Sequence, residues 1–173
     1  MNDGVQRARE RRNALERLAA KIPGLRGYIE RETRREVDKL ERDWIAARLD
    51  QARSSVQRSI REWSRSGNLE NLDLASSVEK LLARLANRVR HTDYGYTGFF
   101  DAVKVSGPQL DRLYEFDLGL VEVVEGIAAR IDGLPGSPSE PALRSVLESV
   151  EAADRTFDER ATVFEDLTQR GDQ

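Results

Sequence analysis

Apolar residues recur at steps of three and four along nearly the whole chain, the spacing that aligns side chains on one face of an α-helix. The first stripe, Ala8, Leu15, Leu18, Ala19 and Ile22, is thin and set among Arg7, Arg9, Arg11, Arg12 and Arg17. It predicts a basic helix from about Val5 to Lys21, halted by Pro23-Gly24. From Arg26 to Arg65 no proline or glycine follows Gly27, while Ile29, Val37, Leu40, Trp44, Ile45, Leu49, Ala52, Val56, Ile60 and Trp63 keep the rhythm. One long helix is expected, nearly 60 Å at about 1.5 Å per residue. Its stripe shifts from Val37/Leu40/Trp44 to Ile45/Leu49/Ala52/Val56, so its two ends are expected to face different neighbours and the helix to project or bend.

Ser66-Gly67-Asn68 reads as a turn, with Asn71 or Asp73 placed to cap the next helix by accepting from its free amides. Leu74, Val78, Leu81, Leu82, Leu85 and Val89 form that helix's inner face. Ser106-Gly-Pro-Gln109 has the form of a capping box and opens a helix to about Ile131 with Leu110, Leu113, Tyr114, Leu120, Val121, Val124 and Ile127 inward; Gly133 stops it. Gly133-Leu-Pro-Gly-Ser-Pro138 is linker-like, and Ser137-Pro-Ser-Glu140 repeats the capping-box pattern before a last helix to about Gln169. There Leu143, Val150, Phe157 and Phe164 lie seven apart, Val146, Ala153 and Leu167 fill the complementary seam, and Arg160 interrupts it. Such heptads predict coiled-coil-like packing against another helix, of the same chain or of a second copy.

The fold expected is all-α, an elongated bundle of four main helices plus an amino-terminal helix. Residues 1–22 form the basic helix, 23–133 the bundle core, and 134–173 the heptad-bearing helix joined by the Gly/Pro linker, all within one domain. At 173 residues the chain is long enough to bury a continuous core without disulfide or metal staples. Charged residues reach 34%, above the roughly 25% of ordinary globular domains, which favours long, well-solvated helices. Residues 1–65 carry a net +6 and residues 66–173 a net −9. Acidic residues are interspersed throughout the basic half, so the opposed charges are read as attraction between helices or subunits rather than as a surface for phosphate.

Candidate chemistry is sparse. Without cysteine there is no disulfide framework, thiolate metal site or cysteine nucleophile. A carboxylate-bridged metal centre needs Glu-x-x-His pairs on two helices, whereas the single histidine, His91, has Arg88 at that spacing. No phosphate-cradling glycine loop is present. The segment from His91 to Phe100 holds four of the 11 aromatic residues: Tyr94, Tyr96, Phe99 and Phe100. With Asp93, these are the candidate interaction or loop site, and the only cluster from which acid/base chemistry is conceivable; the plainer reading is that the aromatics plug the bundle's end. Asp117 and Asp154 sit close to apolar stripes and are expected to be buried and paired with arginine, an arrangement that more often sets register than catalyses.

Lys21-Ile-Pro-Gly-Leu-Arg-Gly-Tyr28, together with His91-Thr-Asp-Tyr-Gly-Tyr-Thr-Gly-Phe-Phe-Asp101, resembles a group of uncharacterised bacterial all-helical proteins over about residues 20–133. The resemblance implies a bacterial origin and a helical core, and no activity. The expectation is a non-enzymatic scaffold or adaptor, working through helix–helix contacts with a protein partner or itself as a homo-oligomer, with Leu143, Val146, Val150, Phe157, Phe164 and Leu167 as the packing seam. One alternative is a peripheral protein held to an anionic membrane by the basic helix, although Val5 to Ala20 offers no aromatic anchor; another is an enzyme with its site near His91. Nucleic acid is disfavoured as a partner, no cofactor or metal is implied, and the lack of an apolar leader or spanning run suggests a cytoplasmic protein.

Overall fold

A computed structural model of the chain describes residues 14–30, 34–92 and 107–169, with side chains over 14–28, 36–92 and 112–163. Every regular element among them is a helix: α1 at residues 14–21, α2 at Leu25–Glu30, α3 at Arg34–Arg65, α4 at Leu72–His91, α5 at Gly107–Asp132 and α6 at Glu140–Gln169. This is an all-α bundle of four main helices, α3 to α6, with an amino-terminal helix. Where one helix was expected from Arg26 to Arg65, the structure describes α2 and a 32-residue α3, about 48 Å long; residues 31–33 lie outside the described residues. So do the predicted capping residue Ser106 and the start of the amino-terminal helix. Among the described residues no helix is long and apolar enough to cross a membrane.

The chain divides into two compact units, each assembled from separated segments: unit 1 is Met1–Trp44, Asp93–Val121 and Asp158–Gln173, and unit 2 is Ile45–Thr92 and Glu122–Phe157. Unit 2 therefore consists of two helical hairpins. In the first, α3 ends in a turn in which Gly67 takes φ 75°, a left-handed geometry open to glycine without steric cost. Asn68 N donates to Trp63 O and Gly67 N to Ser64 O, the paired bonds that satisfy orphan carbonyls at a helix end. Asn71 does not cap α4 as expected: it is left-handed at φ 61° and makes no side-chain cap bond. The second capping box is displaced too. Ser139, not Ser137, offers its hydroxyl to the Ala142 amide, and Ser137 instead accepts from Asn68 Nδ2 at 2.7 Å.

Unit 2 has an almost wholly apolar interior. Leu49, Ala52 and Val56 of α3, Val78, Leu82 and Leu85 of α4, Val124 and Ile127 of α5, and Leu143, Val146, Val150, Ala153 and Phe157 of α6 are all buried, each large side chain contributing roughly 1.5–3 kcal/mol by leaving water. Near the turns the core closes on Trp63, Ala75 and Leu143, with Ile60, Leu72, Leu74 and Leu134 packed against them. The heptad seam of α6 from Leu143 to Phe157 is thus consumed by helices of its own chain. Phe164 and Leu167 lie outside the described side chains.

In unit 1 the apolar interior comes from Ala14 and Leu18 of α1, Ile22, Leu25 of α2, Val37 of α3, and Leu113, Leu118, Leu120 and Val121 of α5. The inner face of α3 is not the drifting stripe the sequence suggested. Leu40 and Trp44 are only half-buried, and the buried positions run Val37, Asp38, Glu41, Ile45, Leu49, Ala52, Val56. The stripe keeps one register throughout, and carboxylates occupy two of its places.

Candidate functional site

A charged layer lies in the interior of unit 1. Arg160 stands at the seam position of α6 seven residues after Ala153, so the helix that buries Ala153 also turns Arg160 inward; it is 2% exposed. Asp117, one turn beyond Leu113 on α5, and Asp38, beside Val37 on α3, are carried inward by the same periodicity. The Arg160 guanidinium donates from Nε to Asp117 Oδ1 at 2.6 Å and from Nη2 to Asp117 Oδ2 at 2.9 Å, a two-pronged fit that lysine would not reproduce. Its Nη2 also donates to Asp38 Oδ1 at 2.8 Å. Asp38 is braced on its other oxygen by Arg42, one turn along, whose Nε donates to Oδ2 at 2.9 Å.

Glu41 completes the layer. Its side chain is wholly buried, and Oε1 has no hydrogen-bond partner among the described residues. Burial pushes its carboxyl well above the usual carboxylate range, the neighbouring Asp117 charge adds to the rise, and Arg160 opposes it. Glu41 thus brings a third carboxyl to a layer in which Arg160 and Arg42 already serve two aspartates, and its own side chain hydrogen-bonds with Asp117. Among the described residues no group of three or more His, Asp or Glu side chains is placed to hold a metal ion.

Unit 2 holds a second ionic centre nearer the surface. Asp154 of α6 accepts from Arg84 Nη2 at 2.8 Å and from Arg88 Nη1, both of α4. The Arg88 guanidinium also lies 5.9 Å from the centre of the Phe157 ring, within reach of a cation–π attraction. Elsewhere Arg53 donates to Glu79 at 2.5 Å and holds its carboxyl below the ordinary range, while Arg90 reaches Asp50 at 2.6 Å. These pairs tie α4 to α6 and to α3.

The expectation for Asp117 and Asp154 is therefore met: both are buried and arginine-paired. Arg160, read from the sequence as an interruption, is the hub that joins three helices. Asp38 and Glu41 went unnoticed, although stepping back by four from Ile45 lands on Glu41, and by three more on Asp38. His91 is the last residue of α4 and is exposed, and the following Thr92 hydroxyl donates to the Arg88 carbonyl. With Arg88 and Arg90 it places positive or ionisable groups in the last turn, where the helix dipole favours cations. Asp93, Tyr94, Tyr96, Phe99 and Phe100 lie outside the described residues. Compared with protein-family models, curated proteins and solved structures, the chain finds no match.

Proposed function

We propose that this chain is a non-enzymatic scaffold or adaptor of the cytoplasm, presenting helix faces held in fixed register to a protein partner. The supporting observation is the Arg160 layer. Replacing a buried ion pair by apolar side chains of similar volume is often neutral or stabilising, so such a pair is weak evidence for stability and better understood as a means of selecting one arrangement among several. Arg160 fixes α6 against α3 and α5 at once through Asp38 and Asp117, and an adaptor depends on that fixity because its recognition surface is the sum of several helices. Since the seam from Leu143 to Phe157 is occupied within the chain, association with a partner or a second copy falls to outer faces instead.

The test compares wild-type bait with Arg160→Met, which alters no exposed residue, in quantitative affinity capture from bacterial extract, alongside sedimentation across a hundredfold concentration range. Wild-type protein is expected to retain a defined partner, or to self-associate, and the variant to lose it while staying helical by circular dichroism. A wild-type chain that stays monomeric and retains nothing the variant loses would refute the proposal.

A further inference from the structure

We propose that Glu41 is a proton-operated latch on unit 1, holding the charged layer closed when its carboxyl carries a proton and loosening it when the proton leaves. The inference goes beyond the adaptor reading and holds whether or not a partner docks. It rests first on a count of charges in a confined space. The groups that face Glu41 among the described residues are Asp38 from its own helix, Asp117 from α5 and Arg160 from α6, with Arg42 engaged on the far side of Asp38. Both aspartates already share the fully buried guanidinium of Arg160, whose Nε and Nη2 donate to them. A third negative charge would crowd onto two carboxylates already gathered on that guanidinium.

It rests second on the orphaned oxygen. Glu41 Oε1 is buried and accepts from none of the described residues, tolerable for a neutral acid but severe for a carboxylate. Water would relieve the ionised form, and it gains access when the segments carrying Asp117 and Arg160 separate from α3. Opening and proton release are then one linked event. The upward displacement of the Glu41 carboxyl agrees with this geometry. Unit 2, where Glu79 accepts from both Arg53 and Gln57, has no equivalent orphan.

Native-state hydrogen exchange, corrected for the intrinsic pH dependence of amide chemistry, tests the latch between pH 6 and pH 9. Amides of residues 37–44 and 113–121 are expected to lose protection by up to about tenfold per pH unit, the limit for release of one proton on opening, while those of residues 75–89 hold constant. Glu41→Gln, which keeps a donor and an acceptor but cannot ionise, is expected to abolish the slope. Carboxyl-carbon NMR of glutamate-labelled wild-type protein supplies a reading that needs no variant: one glutamate should titrate well above the others and in step with the loss of protection. A flat profile in unit 1, a slope that persists in Glu41→Gln, or a spectrum in which no glutamate titrates above the ordinary carboxylate range overturns the proposal.

Discussion

Replacing Arg160 by methionine removes the charge while keeping an unbranched, apolar side chain in place. The guanidinium meets two aspartates through three hydrogen bonds of 2.6, 2.9 and 2.8 Å, with Arg160, Asp117 and Asp38 side chains only 2%, 2% and 5% exposed. Each unit-charge pair is worth about 4 kcal/mol at ~4 Å and an effective dielectric constant near 20. Stripping three ions of water costs several kcal/mol apiece. The two sides are of similar size, so the intact layer adds little net stability; removing Arg160 alone strips Asp117 of the two bonds it accepts and leaves Asp38 to Arg42. Arg160→Met is therefore expected to cost about 3–5 kcal/mol, or roughly 6–20 °C in melting temperature for a chain of this length. Asp117→Asn added to Arg160→Met should recover about 1–3 kcal/mol, because it removes the carboxylate that Arg160 grips with two bonds. Urea unfolding followed by circular dichroism, completed as a double-mutant cycle, measures both. A loss below about 1 kcal/mol for Arg160→Met, or simple additivity in the cycle, would show that the layer is solvated and the reasoning wrong.

Glu41→Gln should match wild type below about pH 4, where the carboxyl is protonated folded or unfolded. Because the folded carboxyl is displaced upward, wild type loses stability as pH rises from there toward the folded value, so the variant gains on it by up to ~1.4 kcal/mol per pH unit; denaturation at pH 4, 6 and 8 reads the widening gap. Glu79 acts in the opposite sense: its lowered pKa gives stability that is present above the unfolded value and lost on acidification, and Glu79→Gln should flatten that acid limb of a pH–stability curve. Asp154→Ala leaves Arg84 and Arg88 without their shared acceptor, but because Arg84 is largely solvated the cost should stay near ~1–2 kcal/mol, measured by the same unfolding assay. Gly119 and Gly126 lie within α5, and a Cβ built at either meets nothing within 4 Å, so each alanine variant should gain ~0.5–1 kcal/mol; Gly67→Ala, also unobstructed but at φ 75°, should lose ~1–2 kcal/mol instead. Calorimetric melting separates these signs.

What the order of residues settled by itself is local. Helical periodicity, the Pro23-Gly24 and Gly67 stops and the absence of any alternating apolar run dictate helices, because each depends on side chains within a turn or two of one another. Even Asp117 and Asp154 could be marked as buried acids, since an isolated charge on an apolar stripe needs a partner wherever the stripe packs. The identity of those partners was a matter for the tertiary structure alone. Arg160 finds Asp38 122 positions away and Asp117 43 away, and nothing in the spacing along the chain encodes such distances. Only packing showed that Asp38 and Glu41 continue the core face of α3, because a carboxylate on a stripe looks like a break in it until an arginine from another helix is seen to fill the gap. The heptads of α6 likewise announced a seam without saying whose helix it would meet; the answer, its own chain from Leu143 to Phe157, follows from which apolar surfaces are brought together when the chain folds back, and that is a property of three dimensions.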